Sequence, residues 1–121
     1  MELNDILCIK VRRTICAVQL DNIIYLEKKS RTITAHVIDG DDLRFYGKYD
    51  SVMPFLDGRF THPHQSYVIN MQHISRLGRH EVIMYGGDRI VLGNKCFGRL
   101  KRAYDAFTSD NLESRRREQT R

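Results

Sequence analysis

The sequence predicts a mainly β domain of eight to ten short antiparallel strands, with one brief helix midway and a second at the end. Three observations carry this. Apolar runs are short, rich in Val, Ile, Thr and Tyr, and bounded by turn pairs such as Arg12-Arg13, Asp39-Gly40 and Gly86-Gly87. Only two windows show a helical period. Parallel βαβ units would need a helix after most strands, and none is available.

Ile6-Leu7-Cys8-Ile9-Lys10-Val11 and Thr14-Ile15-Cys16-Ala17-Val18 read as two strands joined by a tight turn at Arg12-Arg13. Leu20-Asp21-Asn22 is a turn or a single short helical turn. Ile23-Ile24-Tyr25-Leu26-Glu27 is almost continuously apolar, the mark of the most buried strand. After the basic turn Lys28-Lys29-Ser30-Arg31, the segment 32–38 alternates. Ile33, Ala35 and Val37 fall on one face and Thr32, Thr34 and His36 on the other, as in a half-buried strand. Asp39-Gly40 signals a hairpin returning through Leu43-Arg44-Phe45-Tyr46.

From Lys48 to Leu56 the period changes, with Tyr49, Val52, Met53 and Leu56 at helical offsets. Pro54 limits this helix to about two turns, because a proline inside a helix removes a backbone donor. The stretch from Phe60 to Ser66 reads as a polar, histidine-rich loop stiffened by Pro63, and it leads into an apolar strand. Val68, Ile69, Met71 and Ile74 are its candidate core residues, with Asn70 placed just outside the core. A strand near 73–77, a turn at Gly78-Arg79 and a hairpin through Glu81–Tyr85 and Arg89–Leu92 follow. Asn94 is a candidate cap for a helix over 95–107, whose Phe97, Leu100, Tyr104 and Phe107 share one face. Residues 1–108 are expected to form the domain. Residues 109–121 are charged and aperiodic, which predicts a disordered tail.

At 121 residues the chain fits one domain, and its 41% hydrophobic and 29% charged residues are those of a globular protein. No apolar run is long enough for a bilayer span, and the first residues lack the basic and apolar regions of a signal peptide. A cytoplasmic protein is expected. Cys8, Cys16 and Cys96 fit neither a disulfide framework nor a metal knuckle, so the expectation is reduced and mostly buried thiols. The net charge is +5, and residues 1–107 alone hold 16 Lys/Arg against 12 Asp/Glu. The surplus therefore does not come from the tail, and it favours a polyanionic partner.

Enzyme chemistry finds no frame. Ser66 and His64 lack a nucleophile-elbow pattern, and the glycines match no phosphate-cradling loop. His62, His64 and His73 lack Cys or carboxylate neighbours at ligand spacing, so no metal and no cofactor are expected. Three polar or basic loops suit nucleic acid: Lys28–Arg31, His62–Ser66 and Gly93–Lys95. Arg and Lys grip guanine edges or phosphates, and Gln or Asn can bond adenine. Single-stranded RNA would need exposed aromatics, whereas Tyr25, Phe45, Tyr46, Tyr49, Phe55, Phe60, Tyr67 and Phe97 mostly occupy positions that a core would claim. The alternative is a β-rich protein-interaction module with incidental basic charge.

Residues 7–107 resemble the LytTR DNA-binding domain, the output domain of LytR/AgrA/AlgR response regulators. Asp21-Asn22-Ile23-Ile24-Tyr25-Leu26-Glu27 is similar to the family's first block. Phe60-x-His62-x-His64-Gln65-Ser66-Tyr67-Val68-Ile69-Asn70-x-x-x-Ile74 is similar to its most specific block. A third likeness is the Gly86-Gly87 hairpin followed by Ile90-Val91-Leu92 and a helix. His62 stands where an Arg is usual, and Gly93-Asn94 replaces a common Ser-Arg.

The resemblance implies an elongated antiparallel β-fold whose loops enter successive major grooves of double-stranded promoter DNA. Arg31, Gln65 and Lys95 fall on base-contacting positions, and Lys29, Ser66 and Asn94 on phosphate-contacting ones. His64 and Asn70 fall on loop-fixing positions. It further implies direct or tandem repeat sites bound by two copies. The chain is expected to be either a stand-alone regulator or a fragment linked to a receiver domain and sensor kinase.

Overall fold

A computed structural model describes the backbone of residues 5–119 and the side chains of residues 5–109. Among the described residues ten strands fall into three antiparallel sheets. The two-stranded ribbon is β1 (Ile6–Val11) with β2 (Thr14–Gln19). A five-stranded sheet has the order β5 (Leu43–Tyr46), β4 (Thr32–Val37), β3 (Ile23–Lys29), β7 (Tyr67–Asn70), β6 (Phe60–His64). The third sheet has the order β10 (Arg89–Val91), β9 (Glu81–Met84), β8 (Ile74–Gly78). Helix α1 is one turn (Tyr49–Val52) continued by a 3-10 turn at Met53–Phe55, and α2 spans Asn94–Gln119. Among the described residues no helix is long and apolar enough to cross a membrane. The backbone of α2 runs on through 109–119, the stretch expected as a disordered tail, and the side chains from residue 110 on lie outside the described ones.

The five-stranded sheet lies between two apolar clusters. On one face Leu7, Ile9 and Val18 of the ribbon and Tyr49 and Val52 of α1 pack with Ile23, Leu26, Ile33, Ala35 and Val68. On the other, Ile24, Tyr25 and Ile69 pack with Val82, Met84, Ile90, Leu92 and Leu100. Burial on both faces is why β3 is apolar almost throughout. Ile24 and Tyr25 both join the second cluster, which strict alternation forbids; a bulge between Ile23 and Tyr25 permits it.

Several expectations need correction. The stretch 60–64 is strand β6, not a loop. Pro63 is tolerated there because β6 is an edge strand whose register shifts between Thr61 and His64, so no ladder bond needs its missing N–H. None of the three cysteines is buried: Cys8 is exposed, and Cys16 and Cys96 are half-buried. Alternation explains Cys8, since Leu7 and Ile9 take the inward positions of a ribbon covered on one side. Asn70, expected outside the core, is fully buried. Tyr46 and Phe55, expected at core positions, are exposed because β5 is the other sheet edge and the 3-10 turn lies at the surface. The Asp39-Gly40 hairpin exists with a longer connection over 38–42, in which Gly40 takes φ +94°.

Candidate nucleic-acid interface

Two turns meet at one end of the five-stranded sheet. Lys29 pairs with Thr32, so Ser30 and Arg31 form the β3–β4 turn, with Ser30 at φ 55°. His64 pairs with Tyr67, so Gln65 and Ser66 form the β6–β7 turn. Glu27 pairs with Tyr67, and the ladder continues as the Lys28 N–H donates to the Ser66 carbonyl at 2.8 Å. Continuing that register sets Gln65 beside Lys29. The Ser30-Arg31 tip then projects about two residues, roughly 7 Å, farther out. Arg31, Gln65 and Lys29 are exposed.

Both turns are held from behind. Within β6–β7 the His64 Nδ1 accepts a 3.0 Å bond from the Ser66 N–H, and the His64 ring lies 5.5 Å from Tyr67. Tyr49 donates its hydroxyl to the Ser66 carbonyl at 2.9 Å, meets His62 edge-on at 4.9 Å, and carries the Lys28 ammonium 5.9 Å from its ring centre. Burial first, then Glu27 and Tyr67, hold the Tyr49 hydroxyl well above its ordinary pKa, so it stays a donor. Burial, then Glu27, likewise raises Tyr67. On the other side the Gly47 N–H donates to the Arg31 carbonyl at 3.2 Å. Backbone bonds thus fix both turns and leave the Arg31, Gln65 and Ser66 side chains uncommitted among the described residues.

Lys29 is less free. Its ammonium lies 3.9 Å from Glu27, which also bonds His36 at 3.1 Å. Since the Lys29 side chain is 86% exposed, solvent weakens the pair and the charge remains available.

Asn70 works deeper. Its amide donates to the Ile23 carbonyl at 2.8 Å and the Leu20 carbonyl at 3.4 Å, and its oxygen accepts from the Gln72 N–H at 2.9 Å. It therefore ties the end of β7 to the 3-10 turn at Leu20–Asn22 that leads into β3.

The third group lies at the start of α2. Asn94 does not cap this helix: Gly93 holds the cap position, its carbonyl accepting the first helical bond from Phe97 N–H at 2.8 Å. The Asn94 amide is thereby left exposed, as is Lys95. Cys96, Phe97 and Leu100 anchor the first turns in the second cluster, and α2 packs on β6. The leading N–H groups of the helix add a partial positive charge beside Lys95.

The structure thus joins Arg31, Lys29, Gln65 and Ser66 in one assembly and exposes Lys95 and Asn94 on a second, linked to it through the packing of α2 on β6. Among the described residues no ion pair or hydrogen bond joins Lys95 to Arg31 or Gln65. Sequence reasoning missed Tyr49, Lys28 and His62 as buttresses. The helical spacing places Tyr49 only on an apolar face, although a buried tyrosine needs a partner for its hydroxyl, and that need was the available signal.

Comparison with known proteins sets this geometry in context. The family model described as the LytTr DNA-binding domain matches residues 13–105. The chain is 34% identical over 86 residues to accessory gene regulator protein A from two strains of Staphylococcus epidermidis. That match takes in 69% of this chain and 34% of each relative, so the chain spans about a third of their length. Among solved structures, the LytTr DNA-binding domain of a protein described as a methyl-accepting/DNA response regulator from Bacillus cereus superposes with a TM-score of 0.66. The superposition covers 87% of this chain and 97% of that one at 15% identity, a likeness of fold.

Proposed function

The chain belongs to the LytTr DNA-binding domain family, and from that premise we propose that it is a sequence-specific regulator of transcription that reads double-stranded promoter DNA. The β3–β4 and β6–β7 turns enter the major groove, where Arg31 and Gln65 meet base edges. Lys95, at the head of α2, meets a neighbouring groove. Lys29, Ser66 and Asn94 hold phosphates, while His64 and Asn70 fix the loops. Residues 1–108 are the binding unit, working in the cytoplasm without catalysis, metal or cofactor. Two copies occupy direct or tandem repeats. The unit serves either as the output domain of a two-component response regulator, behind a receiver domain and sensor kinase, or as a stand-alone regulator. The likeness to accessory gene regulator protein A supports the regulatory part of this reading.

One observation carries it. The Lys28–Ser66 backbone bond locks two sequence-distant turns together with Arg31 and Gln65 both exposed and, among the described residues, free of internal side-chain partners. Such preorganisation lowers the ordering cost of binding. Selection of bound duplexes from a random library should return a single motif. On that duplex, Arg31→Ala or Gln65→Ala should cost about 1–3 kcal/mol while leaving random-duplex binding unchanged. Equal losses on both duplexes would make the two residues backbone contacts, and failure to bind any duplex would favour a protein-interaction module.

A further inference from the structure

A further feature starts beside the β3–β4 turn, where Tyr46 pairs with Thr32, and lies where the ribbon runs beside the five-stranded sheet. Among the described residues β1 bonds only β2 and β5 bonds only β4, so each presents an unpaired edge. The two lie side by side without a ladder between them, and an open groove of about 980 Å³ runs along the seam. Its walls include Lys10 and Arg12 from the ribbon and Arg44, Phe45 and Tyr46 from β5. A separate, smaller pocket that shares Lys10, Phe45 and Tyr46 with it is lined by Lys48.

The charges around this seam are one-sided. Lys10, Arg12, Arg44 and Lys48 are exposed and have no carboxylate partner among the described residues. The one acidic wall residue, Asp42, is engaged by His36 Nδ1 at 2.9 Å. Tyr46, the last residue of β5, stands 83% exposed on this rim. Basic residues on an edge strand can serve simply to repel stray strands. That role accounts for Arg44. It does not account for a large aromatic left in water beside an unpaired backbone edge.

We propose that this seam is a docking site for an extended, acidic peptide segment of a partner protein, which adds a strand to the free edge of β5. The four residues of β5 offer about 13 Å of edge, enough for a segment of about four to five residues. Backbone bonds to β5 supply the pairing, acidic side chains meet Lys10, Arg12 and Arg44, and an apolar residue packs on Tyr46. A second copy of the chain is a poor occupant, because each copy carries a net +5. DNA phosphates would match the charge, but they cannot use the alternating donors and acceptors of a strand edge.

The proposal goes beyond duplex recognition and does not rest on it. The test uses the full chain and a fluorescein-labelled peptide alternating Glu with Val around one Phe, with a control in which Lys replaces each Glu. Saturable binding of the Glu peptide is expected, with amide shifts confined to β5 and the end of β1. A variant carrying Lys10→Glu and Arg44→Glu should weaken it about tenfold or more and reverse the preference towards the Lys peptide. N-methylation of alternate peptide amides should abolish binding if pairing with the edge is used. Should the double variant fail to fold, Tyr46→Ala and Arg44→Gln serve in its place, each expected to weaken peptide binding. Failure of both peptides to bind overturns the proposal. So does a groove variant that weakens duplex binding and not peptide binding, which would assign the rim to DNA phosphates.

Discussion

Asn70 shows how much a single buried amide can hold. It is wholly enclosed; two of its three hydrogen bonds link β7 to the entry of β3, and the third holds the Gln72 N–H that follows it. Removing it strands two carbonyls and one N–H in the interior, each costing about 1–3 kcal/mol when left unmade. Asn70→Ala should therefore lower stability by about 3 kcal/mol, as read from urea unfolding. A change below about 0.5 kcal/mol would mean that water replaces the amide without loss. Tyr25 and Tyr49 give a second prediction at this scale. Burial raises both hydroxyls above the ordinary value near 10; for Tyr25 the bond to Asp88 at 3.0 Å adds to it. The unfolded chain then releases these protons first, so the native state holds more of them above pH about 10. Their contribution is intact below that pH and is lost as pH rises further. Urea midpoints should fall from about pH 10 upward, and a Tyr25→Phe, Tyr49→Phe double variant should show a shallower fall. An unchanged slope would remove these tyrosines as the cause.

Among the elements, β3 is the one around which the others assemble. It is central in its sheet, and Ile23 to Leu26 are buried between two clusters. Leu26→Ala should cost about 3 kcal/mol, since a fully enclosed leucine leaves a cavity that the sheet cannot collapse. Calorimetry would check this, and a cost under about 1 kcal/mol would show that the first cluster repacks. This strand was legible because a short, continuous apolar run between two turns suits a strand covered on both faces and little else. The ribbon, the one-turn α1 and the face of α2 bearing Leu100 were legible for a similar reason: their periods are local properties of the chain. Strand β6 was not. Its prolyl and histidyl residues carry a loop composition, and only its place at a sheet edge makes Pro63 acceptable. Tyr46 was misplaced for the same kind of reason, because an edge strand exposes a residue that a central strand would bury.

At the scale of the whole molecule, the charge of +5 predicts how duplex binding responds to salt. Each phosphate neutralised by Lys or Arg releases counterions, so log K should fall linearly with log salt. Lys29→Ala should reduce that slope by about one, as measured by fluorescence anisotropy across a salt series. A slope that this variant leaves unaltered would take Lys29 off the phosphate backbone. The chain alone determined that Arg31 and Gln65 stand in short polar turns, a character written locally in the residues around them. It also determined the mainly β class, through the spacing of its apolar runs. Which of those turns meet was decided only by tertiary pairing. The Lys28–Ser66 bond joins residues 38 positions apart, and no local pattern encodes such a register. Tertiary structure likewise left β5 at an edge beside an unpaired β1, opening a basic seam whose separate residues gave no sign of it.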